Sequence, residues 1–126
     1  MKVFLSIKYY DDMRNRGLIE KICAPLESKG IETFVFARDV QNYEKCKLLP
    51  KEIMETAFKE IEKSDVLLVD ASETSIGVGI EVGYAYVKRI PIYLIASKKA
   101  EVSNSVKGVA EKSLFYENAN EAADLF

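Results

Sequence analysis

Five short apolar runs alternate with stretches of helical period, and this alternation limits what the chain can fold into more than any other feature. The runs are 3–7, 32–37, 65–70, 91–96 and 113–116. Between the first two, Ile19, Ile22, Cys23 and Leu26 recur at the i, i+3, i+4, i+7 spacing of one helix face within 13–29. Gly30 is placed to end that helix, and Pro25 inside it predicts a kink or break. Pro50 suits a first helical position ahead of Ile53, Met54, Ala57, Phe58 and Ile61. Helices are also expected over 77–89, 103–111 and 120–126. Short buried strands joined by helices require a parallel sheet covered on both faces. The expected architecture is a three-layer α/β fold, flavodoxin-like or Rossmann-like, with strand order 2-1-3-4-5. One such domain accounts for 1–126.

Ligands of such sheets bind beyond the carboxyl ends of the strands, where the strand order reverses. Here that point lies between the first and third strands. It brings Ser6, Ile7 and Lys8 opposite the segment from Asp70 to Glu81. The connection 38–49 is long and polar, which suits a lid or binding loop and equally a mobile surface loop.

After the third strand the sequence reads Ser75-Ile76-Gly77-Val78-Gly79-Ile80-Glu81-Val82-Gly83. Gly77 and Gly79 allow close approach of a ligand to the backbone. The following helix start supplies free N–H groups and a positive dipole end, and Ser75 adds a hydroxyl. A phosphate or carboxylate cradle and a plain turn capped by Ser75 both fit. Glu81 stands just inside the helix, as a dipole-stabilised surface carboxylate or as a group aimed at a sugar carbon of oxocarbenium character. Asp70 ends the third strand, in reach of the crevice or bonded to the turn that follows it. Lys8 suits a phosphate partner or a solvated charge. Tyr9 and Tyr10 offer rings for stacking or for packing.

Composition narrows the chemistry. The chain has no histidine, so acid–base work near neutral pH falls to Glu, Asp, Lys, Tyr or Cys. Hydrolytic triads and most zinc sites are disfavoured, and no metal or cofactor is expected. A net charge of −2 gives no global field for nucleic acid polymers or an anionic membrane. The two cysteines, Cys23 and Cys46, lack metal or disulfide spacing. The first apolar run is too short for a signal segment, and no run spans a membrane, so the expected location is the cytoplasm. A dinucleotide-binding fingerprint would follow the first strand, but the glycines follow the third. A receiver domain would carry acidic residues directly after the first strand, and Asp11 and Asp12 come late.

The run 64–70 followed by Ser75-x-Gly77-x-Gly79-x-Glu81-x-Gly83 and Ala85 resembles the nucleoside 2-deoxyribosyltransferase family. Its branch of 2'-deoxynucleoside 5'-monophosphate N-hydrolases is the most similar. Ser6-Ile7-Lys8 resembles that branch's Ser-Ile-Arg, and Ser103 to Gly108 its C-terminal Ser-x-x-Ile-Arg-Gly segment. The resemblance implies cleavage of an N-glycosidic bond, by water or by transfer of the sugar to a second base. It implies Glu81 as nucleophile; Asp70, from its place at the end of the third strand, is expected as a second catalytic group. Ser6, Ile7, Lys8, Ser75, Gly77 and Gly79 would bind a nucleotide. A homodimer or dimer of dimers would let Ser103 reach the neighbouring site. Two positions depart from the pattern. Ala57 stands where the family usually has Asp, and Leu5 where it usually has Gly. Ala57 also allows a non-catalytic nucleotide-binding module. A phosphoacceptor role for Asp70 is a third reading.

Overall fold

The computed structural model describes residues 1–73 and 75–126. Five strands, β1 (Lys2–Ser6), β2 (Glu32–Phe34), β3 (Val66–Asp70), β4 (Ile92–Ser97) and β5 (Lys112–Tyr116), form one parallel sheet of order β2-β1-β3-β4-β5. The helices are α1 (Arg16–Ser28), α2 (Phe36–Asp39), α3 (Pro50–Glu62), α4 (Ile76–Val87) and α5 (Asn104–Lys107), followed by a 3₁₀ helix over Ala119–Leu125. The expected topology is the one observed. In the registers Leu5↔Leu68 and Ser6↔Val69, the ends of β1 and β3 lie side by side at the reversal point.

Side chains alternate across a strand, so each strand feeds two cores. Val3, Leu5, Val66, Leu68 and Ile95 face α1 and the 3₁₀ helix, against Ile19, Ile22 and Leu26. Phe4, Leu67, Val69 and Leu94 face α3 and α4, against Ala57, Ile61, Val82 and Ala85. β3 is buried at all five positions, as a central parallel strand must be.

The helix α1 runs through Pro25 without a break, contrary to the sequence expectation. Pro25 sits in the last turn, where the one bond it forfeits is offset by burial of Leu26 beside it and by the helix end. That end is a Schellman motif: Gly30 N–H donates to Glu27 O at 2.9 Å and Ile31 N–H to Leu26 O at 3.1 Å. Gly30 has φ 80°, while a Cβ there would meet nothing within 4 Å. Gly30→Ala should therefore cost about 1 kcal/mol through backbone strain alone, read by denaturant unfolding.

Three other elements differ from expectation. The second strand stops at Phe34 rather than Ala37, because Asp39 Oδ2 accepts the Val35 N–H at 2.8 Å and turns the chain into α2. The helix expected over 103–111 is only the single turn α5, closed at Gly108. The last helix is 3₁₀ rather than α. Ala119 and Ala122, three apart, both pack inward, and three residues per turn keeps them aligned. No helix is long and apolar enough to cross a membrane among the described residues.

Candidate active site

The strand ends and α4 enclose a cavity of about 190 Å³ where the strand order reverses. Its walls come from four places. β1 and its extension give Leu5, Ile7, Lys8 and Tyr9. The β2–α2 region gives Val35, Phe36, Ala37 and Gln41, with Cys46 from the connection beyond. α3 gives Ile53 and Met54, and the α4 turn gives Ser75, Gly77, Val78 and Glu81.

Glu81 is the one acidic side chain among these lining residues. Its Oε1 accepts the Ser6 hydroxyl at 2.6 Å, a bond joining the end of β1 to the second turn of α4. Ser6 is itself 1% exposed. Burial pushes the Glu81 carboxyl up to about 7, and the Ser6 bond opposes that rise. Near neutral pH the group is thus divided between acid and carboxylate, the condition suited to a nucleophile or base. Removing the hydroxyl in Ser6→Ala leaves burial as the dominant cause. Any activity that needs the Glu81 carboxylate should then rise at higher pH than in the wild type, read as the acidic limb of the kcat/KM profile.

Ser75 caps α4, accepting the Val78 N–H at 3.4 Å, and reaches the cavity beside Gly77. A Cβ on Gly77 would meet only Ser75 Oγ, at 3.9 Å, so space beside the helix start is open. The first-turn N–H groups of a helix have no intrahelical backbone partner, and in α4 the Val78 N–H donates to the Ser75 hydroxyl while Gly77 borders the cavity. Lys8 lies 3.6 Å from Glu73 Oε2 and over the Tyr10 ring at 5.2 Å. It is the one cationic side chain among the described residues lining the cavity.

The remaining residues singled out in the sequence lie elsewhere. Asp70 is 3% exposed, and both its oxygens are engaged: Oδ1 accepts the Ser72 N–H at 2.9 Å and Oδ2 the Tyr116 hydroxyl at 2.8 Å. It borders a smaller depression on the far side of Ile7 and Lys8, away from Glu81. Gly79 is on the exposed side of α4, outside the cavity lining. Ser103 is exposed, caps α5 by accepting the Ser105 N–H at 3.2 Å, and is not part of its own chain's cavity. Ala57 is 1% exposed and packs in the core behind Ile53 and Met54. No group of three or more metal-ligating side chains occurs among the described residues.

Sequence reasoning missed the apolar half of the site. Ile53 and Met54 belong to the stripe read as core, yet they are only half-buried because the cavity takes their outer side. Phe36 and Gln41 lie where a strand end and a polar connection were expected. The length of that connection was the available signal.

The fold is that of the nucleoside 2-deoxyribosyltransferases. The chain superposes on a 2-deoxyribosyltransferase from Bacillus psychrosaccharolyticus with a TM-score of 0.77 and 15% identity, covering 98% of this chain and 91% of the other. On the CMP N-glycosidase of Clostridium botulinum the TM-score is 0.72 with 21% identity, and both chains are covered fully. In sequence it is 28% identical, over 98% of its length and 91% of the relative's, to a Thermofilum pendens protein named "Putative 2'-deoxynucleoside 5'-phosphate N-hydrolase 1". No family model matches. The resemblance to the 2-deoxyribosyltransferase family therefore extends across the chain, in fold and in sequence.

Proposed function

We propose that the protein is an enzyme that cleaves the N-glycosidic bond of 2'-deoxynucleoside 5'-monophosphates through Glu81. The observation that carries this reading is the Glu81 carboxyl, held by Ser6 and lining one cavity together with Ser75 and Gly77 of the helix start and the apolar side chains of Phe36, Ile53 and Met54. Its relatives are a protein named as a 2'-deoxynucleoside 5'-phosphate N-hydrolase, a CMP N-glycosidase and a 2-deoxyribosyltransferase, which supports this kind of chemistry.

In the proposed reaction the 5'-phosphate rests on Ser75 and the N–H groups around Gly77, with Lys8 supplying charge. The base occupies the chamber walled by Phe36, Ile53 and Met54. A Glu81 oxygen forms a bond to C1' as the C1'–N bond breaks, and the base leaves with that electron pair and takes a proton from solvent. Water then attacks C1' of the resulting ester, restoring the Glu81 carboxylate and releasing 2-deoxyribose 5-phosphate. A second base in place of water would complete a transfer. Asp70 serves this site at a distance, fixing the turn between β3 and α4. Subunits pair so that Ser103 of the partner subunit approaches the phosphate end.

The preference for a 5'-phosphate is the direct test. Base release from a 5'-monophosphate should exceed release from the matching deoxynucleoside by roughly 10²-fold or more in kcat/KM, from two or more charge-assisted hydrogen bonds. Equal rates would remove the phosphate cradle from the account. Ala57 favours a second reading, a module that binds nucleotides without turnover. In that case nucleotides raise the melting temperature equally in wild type and Glu81→Gln, and no base appears.

A further inference from the structure

We infer that Glu73 competes with the substrate's 5'-phosphate for the Lys8 ammonium, and so sets how far the site favours nucleotides over nucleosides. The inference rests on the proposed nucleotide site and names a residue outside the cavity that tunes its phosphate end.

Lys8 stands between two depressions. With Ile7 it lines both the cavity that contains Glu81 and the smaller one beside Asp70. The contacts of its ammonium are with residues of the smaller depression. Glu73 Oε2 lies 3.6 Å away and the centre of the Tyr10 ring 5.2 Å away, and neither residue lines the cavity. The Tyr10 hydroxyl donates to the same Glu73 oxygen, which fixes the carboxylate where the ammonium meets it. Arg14, over the same ring at 4.6 Å, is paired with Asp12 at 3.1 Å. Lys8 is therefore the cation that Glu73 holds.

A lysine head is a point charge on a flexible four-carbon stem, so it can change partner without a backbone shift. The pair it would leave is weak. Its side chains are 37% and 58% exposed, and water screens an ion pair of that kind. A phosphate carries more than one negative charge near neutral pH, and in the proposed complex it also meets Ser75 and the N–H groups around Gly77. It can thus draw the ammonium off Glu73. The contest weakens phosphate binding by the strength of the pair given up, roughly three- to five-fold. A nucleoside makes no such demand on Lys8 and is unaffected.

The test reads Kd by calorimetry in Glu81→Gln, where no substrate is consumed. The ligands are dAMP against deoxyadenosine, dCMP against deoxycytidine, and 2-deoxyribose 5-phosphate. Adding Glu73→Gln should tighten the phosphorylated ligands by roughly three-fold or more and leave the nucleosides unchanged. Adding Lys8→Met as well should erase that gain, because no ammonium is left to release. Unchanged phosphate affinity on Glu73→Gln would overturn the inference. A gain that survives Lys8→Met would overturn it too, since Glu73 would then act by repelling the phosphate directly. An equal gain for the nucleosides would do the same, by showing a change of shape rather than of charge. In the otherwise wild-type enzyme, Glu73→Gln should lower KM for 5'-monophosphates and leave kcat alone. Tightening by Glu73→Gln without base release from any nucleotide would refute the glycosidase reading alone. Base release with a KM indifferent to Glu73→Gln would refute the competition alone, and no binding of any phosphorylated ligand would refute both.

Discussion

Glu81→Gln should lower the rate of base release by roughly 10⁴-fold or more, the scale of losing a nucleophile that forms the covalent bond. The fold should survive, because the glutamine carbonyl still accepts the Ser6 hydroxyl. The same substitution reads out the burial of the carboxylate. In the folded protein Glu81 is held at about 7 rather than the usual 4.5. At about 1.4 kcal/mol per pH unit, the ionised form then opposes folding by on the order of 3 kcal/mol. The sign follows from proton binding: between these two values the folded state binds more protons than the unfolded state. The neutral carboxyl imposes no penalty below about 4.5, and stability falls as pH rises from there through about 7. Glu81→Gln should accordingly raise the melting temperature by several degrees at pH 8 and change it little at pH 4.5. A gain independent of pH would show that burial is not what perturbs this group. In the proposed reaction activity runs the other way, with an acidic limb near 7, since there the carboxylate is the attacking form.

The second large effect is on stability and concerns Asp70. Asp70→Ala should destabilise the protein by about 2 kcal/mol, because it leaves the Ser72 N–H without its side-chain partner and the Tyr116 hydroxyl with only the longer 3.3 Å contact to Ser72 Oγ. Tyr116→Phe should cost about 1 kcal/mol, and the double variant less than the sum, as expected for groups in contact. Chemical denaturation of the three variants measures this. If Asp70→Ala instead kept full stability and lost turnover, Asp70 would belong to the reacting centre and not to the turn behind it.

These two carboxylates show what the sequence could and could not reveal. Both end near the same strand-to-helix connection, and the chain order placed both at the reversal point. The sequence cannot show that Tyr116, distant in the chain, takes one oxygen of Asp70. Nor can it show that Ser6 takes one oxygen of Glu81. The sheet order was legible because buried parallel strands write themselves as continuous apolar runs, and Val66 to Val69 is such a run. The end of β2 was not legible, because a single side chain, Asp39, outweighs the β-propensity of Val35 and Phe36. The end of the cavity at the α4 turn follows from local motif and helix start. The apolar part is assembled from α2, α3 and the connection between them, so only tertiary structure brings Gln41 and Met54 to one cavity.

Incubation of the purified protein with each deoxynucleoside 5'-monophosphate, followed by chromatography for free base, tests the central claim most directly. The account predicts free base and 2-deoxyribose 5-phosphate in equal amounts from at least one substrate, and none from that substrate with Glu81→Gln. No base from any purine or pyrimidine nucleotide at high enzyme concentration, or unchanged release by Glu81→Gln, would contradict it.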